Sequence, residues 1–135
     1  TTTTVATTTT LDRLAEIEAI FQDLEERRLQ ALYDGDREAF RSLFANSEYM
    51  TRSMGAFEVV EFTEEPIDVM VDVVDVLTDT ATCIAAFLRV DATQCLGPTA
   101  IAESVWVLEP SESQGWGYSF GGDGWICDGP HPFSP

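Results

Sequence analysis

The stretch Ile67–Leu77 reads IDVMVDVVDVL, and it decides the fold class of the chain. Its β-branched residues mostly alternate with aspartates, which is the two-residue period of a strand with one solvated face. Two further strand-like runs follow at Ala81–Ala92 and Thr99–Leu108, and the aromatic, Gly-rich stretch Gly115–Cys127 supplies the last strand or strands. Because the turns between these runs are short, we expect the strands to pair antiparallel.

The sequence before this sheet has a helical period. A helix begins at Leu11, with Thr9 or Thr10 available to cap it. The step Asp-Gly-Asp at 34–36 ends this helix and starts a short second one, because Gly suits the left-handed position after a helix and Asp caps the next. Two helices followed by strands predict an α+β fold, with the helices packed on one face of a curved antiparallel sheet. The apolar stripe of the first helix comprises Leu14, Ile17, Phe21, Leu24, Ala31 and Leu32.

Length and charge limit the organisation and the partners. The 135 residues fit one domain, and 24 acidic residues face seven arginines and no lysine, giving a net charge of −17. This charge argues against nucleic acid and anionic membrane surfaces as partners. Eight of the first ten residues are Thr, which predicts a flexible tether over residues 1–10. The α+β domain is then expected over residues 11–128, followed by an irregular tail over residues 129–135.

Three stretches resemble the ketosteroid isomerase and nuclear transport factor 2-like superfamily. Arg27–Met50, RRLQALYDGDREAFRSLFANSEYM, is similar to its opening, where a long helix ends at Gly-Asp and a short helix ends in a Leu-Phe/Tyr-Ala step. VDVVDVLTDTATCIAAF resembles that superfamily's strand, turn and Ala-Thr strand, and GDGWICDG resembles its closing Gly-Trp-Ile strand. The resemblance implies a cone-like α+β barrel whose pocket, between helix and sheet, serves catalysis in some relatives and only binding or dimerisation in many.

The Thr-rich start resembles a different feature, the spacer that follows the lipidated cysteine of actinobacterial surface lipoproteins. That resemblance implies an extracellular or cell-surface protein that is tethered. A membrane would then be contacted only through a lipid anchor outside this chain.

The superfamily's catalytic positions carry the wrong residue types here. In its isomerase branch a Tyr on the first helix helps to form the oxyanion hole, and an Asp at the start of the sheet is the base. An ungapped comparison places Arg28 at the first position and Arg52 at the second. Because arginine stays protonated, it cannot abstract a carbon-bound proton at neutral pH. We therefore assign no catalytic residue and expect binding rather than catalysis.

Arg28 lies within the apolar stripe, where a charge needs a partner. One hypothesis is that Arg28, Arg52 and Arg89 form a small cationic pocket for a carboxylate or another small anion. The alternative is that Arg28 makes a purely structural ion pair with an inward-facing acid such as Glu103. Tyr49 and Trp106 are the further candidates for residues that line a ligand pocket.

Other chemistry has little support in the sequence. His131 is the single histidine, and it lies in the Pro-rich tail without a rigid element to hold it. Neither a Gly-rich phosphate loop nor zinc-ligand spacing is present. We therefore expect neither a metal nor a cofactor.

The three cysteines fit either one disulfide or three free thiols, and we expect the disulfide. If the last strand pairs antiparallel with Thr99–Leu108, Cys95 and Cys127 reach the same end of the sheet and pair, leaving Cys83 as a small buried hydrophobe. A Cys83 to Cys127 pairing is the alternative if the Gly-rich loop shifts the register. Either disulfide would indicate an oxidising compartment.

Three functions follow from these observations. The preferred one is a non-enzymatic extracytoplasmic binding domain for a small anionic or hydrophobic ligand. The second is a cyclase, dehydratase or isomerase of the same superfamily, with Asp68, Glu103 or Tyr49 in its pocket. The third is a structural module that forms a homodimer.

Overall fold

The computed structural model describes residues 10–60, 68–111, 115–122 and 124–133. The predicted tether at residues 1–9, the first residue of the Ile67–Leu77 stretch and residues 134–135 of the predicted tail lie outside these ranges. The helices are α1 (Leu11–Asp34), α2 (Arg37–Arg41), α3 (Ser47–Ser53), α4 (Ala56–Val59) and α5 (Thr93–Leu96), and the strands are β1 (Met70–Asp79), β2 (Ile84–Asp91), β3 (Ile101–Ser111) and β4 (Gly115–Gly121).

The ends of α1 lie where the sequence predicts them. Thr10 caps its start, because the side chain accepts a hydrogen bond of 3.1 Å from the backbone N–H of Arg13. Gly35 follows its end with φ 70°, in the left-handed region that favours glycine. Asp36 then caps α2 by accepting a hydrogen bond from the N–H of Ala39. The helix break is confirmed, since each cap is satisfied by residues within four positions.

The strands form an antiparallel sheet in the order β1-β2-β3-β4. The α+β class, with helices packed on an antiparallel sheet, is therefore confirmed. The pairing of β1 with β2 carries two register shifts, and such irregularities bend a strand. The predicted closure into a cone-like barrel is not confirmed, because the described strands form an open sheet with β1 and β4 at its edges.

One face of the sheet packs on α1 and forms the main core. Ile17, Phe21 and Leu24 of the predicted apolar stripe are buried there. Their burial removes apolar surface from water, which is the main stabilising term for such a contact. The sheet contributes Val71, Ile84, Ala86, Leu88, Val90, Leu108 and Tyr118 to the same core.

Helix α1 also covers the free edge of β1. The side-chain amide of Gln22 donates to the carbonyl of Val69 at 2.7 Å and accepts from the N–H of Val71 at 2.8 Å. Glu18 accepts from the N–H of Val73 at 2.9 Å. These contacts occupy backbone groups that an open sheet edge would otherwise present to another chain.

The other face carries a smaller core, which the C-terminal segment (residues 124–133) completes. Trp125 of this segment is buried against Ala85, Val105 and Val107. The hydroxyl of Thr78 donates to the carbonyl of Ile126 at 2.6 Å and so ties the segment to β1. Each face of the sheet therefore packs against another part of the chain, α1 on one face and the C-terminal segment on the other.

The disulfide joins Cys83 to Cys127, so the predicted pairing of Cys95 with Cys127 is wrong. Cys95 is free and buried, in the core on the α1 face of the sheet. Cys83 and Cys127 instead belong to the smaller core on the opposite face. The sheet itself lies between Cys95 and Cys127, which is why the alternative partner of Cys127 is the one that forms the bond.

Candidate functional site

The site begins with an ion pair inside α1. Arg28 donates from Nε to Glu25 Oε2 and from Nη2 to Glu25 Oε1, both at 2.8 Å. The two residues lie three positions apart, so their side chains share one helical face. The Glu25 side chain is 2% exposed and that of Arg28 is 21% exposed. This bidentate contact satisfies a carboxylate that would otherwise be costly to bury.

The partner of Arg28 differs from the one the sequence suggested. Glu103 is exposed on β3, in register with the exposed Arg89 on β2. Its side of the strand faces away from the α1 core at that end of the sheet. Arg28 therefore makes a structural ion pair, as the alternative hypothesis proposed, but with Glu25 of its own helix.

Tyr118 of β4 is the third member of this buried network. Its hydroxyl donates to Glu25 Oε2 at 2.6 Å, and its side chain lies in the core. Burial alone would raise the pKa of Glu25, but the Arg28 charge and the hydrogen bonds from Arg28 and Tyr118 outweigh it and hold that pKa below its usual value. Burial, together with the Glu25 charge, raises the pKa of Tyr118 well above the ordinary tyrosine value. At neutral pH the network therefore holds an ionised carboxylate and a neutral phenol.

A cavity of about 190 Å³ adjoins this network. Its wall combines α1, the short helices and the last two strands, and we call it the aromatic cavity because five of its eight lining residues carry aromatic rings. The lining residues are Arg28, Phe40, Phe44, Tyr49, Ser53, Ala56, Trp106 and Tyr118.

Two of the residues that line this cavity carry hydrogen-bond donors without a partner among the described residues. Arg28 uses Nε and Nη2 on Glu25, and its Nη1 makes no hydrogen bond to a described residue. Trp106 Nε1 is a buried nitrogen without a partner in the part of the chain that the structure describes. Burial raises the pKa of Tyr49 to about 12, so the phenol of this residue keeps its proton at neutral pH. Within the described ranges, Arg28 and Trp106 therefore place unpaired donors among the residues that line the cavity.

The structure brings together some of the predicted site residues and not others. Arg28, Tyr49 and Trp106 line the aromatic cavity, whereas Arg52 and Arg89 do not. Arg52 is exposed, pairs with Glu48 at 3.2 Å and places its guanidinium 4.6 Å from the ring centre of Phe133. Of the three arginines proposed for a cationic pocket, Arg28 alone reaches the cavity.

Sequence reasoning missed Glu25 and Tyr118. A signal for Glu25 was present in the sequence, because Glu25 lies three residues before Arg28 and residues at this spacing share one helical face. Tyr118 had no comparable local signal, since 93 residues separate it from Glu25. Phe40 and Phe44, which also line the cavity, were not among the predicted site residues.

A second polar cluster joins Ser119, Glu109 and His131. His131 was expected to lack a rigid scaffold, yet its Nε2 lies 2.8 Å from Ser119 Oγ and 3.0 Å from the Ser119 carbonyl oxygen. Its Nδ1 accepts the N–H of Phe133 at 3.0 Å, which places the proton of a neutral ring on Nε2.

This cluster does not have the geometry of a nucleophilic triad. Because the lone pair of His131 is engaged by a backbone N–H, it cannot take a proton from Ser119. The Ser119 hydroxyl donates instead to Glu109 and is fully buried. The cluster holds the C-terminal segment against β4.

A larger groove of about 310 Å³ lies between α1 and α2, but its polar groups are already paired. Arg27 contacts Asp23 at 3.1 Å, Gln30 donates to Asp34 at 3.1 Å, and the Asp36 side chain caps α2. We therefore prefer the aromatic cavity as the candidate binding site, because two of its lining residues carry donors without a partner among the described residues.

Two classes of site find no support in the described ranges. No group of three or more His, Cys, Asp or Glu side chains in them is placed to hold a metal ion. None of their helices has the length and apolar content that a membrane crossing requires.

Comparison of the chain with protein-family models, with characterised proteins and with solved structures finds no match.

Proposed function

We propose that this chain is a non-enzymatic, extracytoplasmic domain that binds a small molecule in the aromatic cavity. The observation that carries the proposal is the combination of a cavity of about 190 Å³, a largely aromatic wall and a guanidinium held in place by Glu25. Cavities with apolar walls and a few fixed polar groups are the usual form of small-molecule sites.

The chemistry of the wall favours binding over turnover. A general base needs a free acceptor whose pKa lies near the working pH. The residues that line the cavity include neither a carboxylate nor an imidazole. The nearby Glu25 is engaged by Arg28 and Tyr118, and its lowered pKa makes it a weak base. These properties support a holding role for the site.

The proposed location outside the cytoplasm has two supports. The disulfide between Cys83 and Cys127 is compatible with an oxidising compartment, and the Thr-rich start resembles a surface tether. A cavity between α1 and the sheet also fits the cone-like architecture of the superfamily that the sequence resembles. Homodimer formation stays a prediction, which light scattering would check.

The binding proposal is tested with three single-ring compounds and a filled cavity. Toluene, benzamide and benzoate would be titrated to millimolar concentration against ¹⁵N-labelled protein, following the indole N–H signal of Trp106 by NMR. We expect a saturable shift with at least one compound. Ala56→Phe places a ring in the cavity and should abolish the shift, whereas Ala81→Phe, at an exposed turn position, should not. If no compound shifts the wild-type signal, the proposal is wrong.

A further inference from the structure

We propose that the ligand of the aromatic cavity is an uncharged, single-ring molecule that carries a hydrogen-bond acceptor, such as a carbonyl or amide oxygen. This inference rests on the proposed function and replaces the small anion that the sequence suggested. It depends on the charge balance at Arg28, the unengaged donors of the wall and the size of the cavity.

Charge balance argues against an anion. The positive charge of Arg28 is already matched by Glu25, with both carboxylate oxygens engaged at 2.8 Å. A bound carboxylate would add a second negative charge beside Glu25 with one cation between them. Its transfer from water to a largely apolar wall would also be unfavourable, because the charge would lose its hydration without gaining a counter-charge. The net charge of −17 adds repulsion at longer range.

The donors of the wall argue for an acceptor. Arg28 keeps the N–H groups of Nη1, and Trp106 Nε1 is buried without a partner among the described residues. An unpaired buried donor is unfavourable, and an acceptor brought by a ligand removes that cost. A neutral carbonyl oxygen can accept from a guanidinium without adding net charge. A purely apolar ligand would leave these donors as they are.

The size and shape of the wall argue for one ring. A cavity of about 150 Å³ holds benzene in another protein, and the aromatic cavity, at about 190 Å³, has room for a ring with one small substituent. Phe44, Tyr49 and Trp106 line this space with aromatic side chains. Aromatic ligands gain from offset or edge contacts with such side chains beyond the area that they bury.

The experiment compares benzamide, benzoate and toluene as ligands of matched size. Dissociation constants at neutral pH would come from the Trp106 indole signal, which Trp106→Phe assigns by deleting it. We expect benzamide to bind at least tenfold more tightly than benzoate and several-fold more tightly than toluene. Benzamide and benzoate have nearly the same shape, so their ratio reports charge.

A charge variant makes the test independent of that first ratio. Glu25→Gln keeps an oxygen that can accept from Arg28 and Tyr118 but removes the negative charge. The unbalanced Arg28 should then favour benzoate and shift the benzamide to benzoate ratio by at least tenfold. If Glu25→Gln does not fold, the wild-type ratio still decides the question.

The outcomes separate this inference from the proposed function. Tighter binding of benzoate than of benzamide by the wild-type protein would overturn the neutral ligand and leave the binding function standing. Equal binding of toluene and benzamide would overturn the acceptor. If none of the three compounds binds, the proposed function itself fails.

Discussion

The hydroxyl of Tyr118 on β4 donates a 2.6 Å hydrogen bond to Glu25 on α1, although 93 residues separate the two in the chain. The contact ties the last strand to the first helix inside the core, and Glu25 is 1% exposed there. A hydrogen bond to a charged, buried group contributes more than a neutral surface bond. The charge of Glu25 is therefore part of what holds the sheet and α1 together.

We predict that Glu25 makes the free energy of unfolding depend on pH in the acidic range. Its pKa is below the usual value, because the Arg28 charge and the hydrogen bonds of Arg28 and Tyr118 outweigh the opposing effect of burial. In the unfolded chain Glu titrates at about pH 4.3, so as the pH falls the unfolded chain binds a proton at Glu25 before the folded chain does. The stabilisation is therefore fully present above that pH and is lost as the pH falls through the folded pKa.

Urea unfolding of the wild type and Glu25→Gln from neutral pH to about pH 3 measures this effect. At neutral pH the variant should be less stable by about 3 kcal/mol, since it leaves Arg28 without a counter-charge. The difference should shrink below about pH 4.3, because the unfolded wild-type chain then takes up a proton at Glu25 that the folded chain does not yet bind. A difference that does not change with pH would contradict the prediction.

We predict that Gln22 stabilises the edge of β1. Gln22→Ala removes the hydrogen bonds to Val69 and Val71, of 2.7 Å and 2.8 Å. The loss should lower the free energy of unfolding by about 1 to 3 kcal/mol, because two part-buried backbone groups lose their partner. Gln30→Ala is the matched control, since Gln30 is exposed and bonds to Asp34 one turn away. An equal effect of both substitutions would refute the role assigned to the edge contact.

We predict that the disulfide stabilises the C-terminal segment. Cys83 and Cys127 are 44 positions apart, and the loop-entropy estimate for such a separation is about 4 kcal/mol. Cys83→Ser with Cys127→Ser should lower the unfolding free energy by up to about that amount. Cys95→Ala should leave the segment in place, because Cys95 is free and lies on the other face of the sheet.

Alkylation followed by mass measurement checks the same assignment. Without reductant and in denaturant, one cysteine of the wild type should react, and all three should react after reduction. Alkylation of three cysteines without reductant would show that the bond is not formed.

We predict that Gly117 allows β4 to approach the chain after α2. A Cβ on Gly117 would lie 2.9 Å from Ala45 N and 3.0 Å from Phe44 C. These are backbone atoms and cannot rotate away, so Gly117→Ala should cost about 1 to 3 kcal/mol by displacing β4. Gly55→Ala is the control, because its nearest contact is 4.0 Å and its φ of −60° suits alanine. Thermal unfolding should show a lower Tm for Gly117→Ala and an unchanged Tm for Gly55→Ala. A larger decrease in Gly55→Ala than in Gly117→Ala would contradict the close approach.

Local sequence was a reliable guide to the elements. The cap at Thr10 and the break at Gly35 could be predicted, since a helix end depends on residues within about four positions. The order of α1, α2 and the strands followed from hydrophobic periodicity, whereas the short helices α3, α4 and α5 were not predicted. The presence of a disulfide could also be expected, but its pairing could not, because Cys95 and Cys127 lie on opposite faces of the sheet.

The sequence by itself determined the α+β class, the ends of α1 and the inward position of Arg28, because each depends on neighbours along the chain. Only the tertiary structure decided that Tyr118 joins the pair of Arg28 and Glu25 in α1, and that Trp106 and Tyr49 line a cavity beside it. These contacts join residues far apart in the sequence, and their distances follow from how the sheet is laid on α1. Of the three arginines in the hypothesised cationic pocket, Arg28 alone lines that cavity.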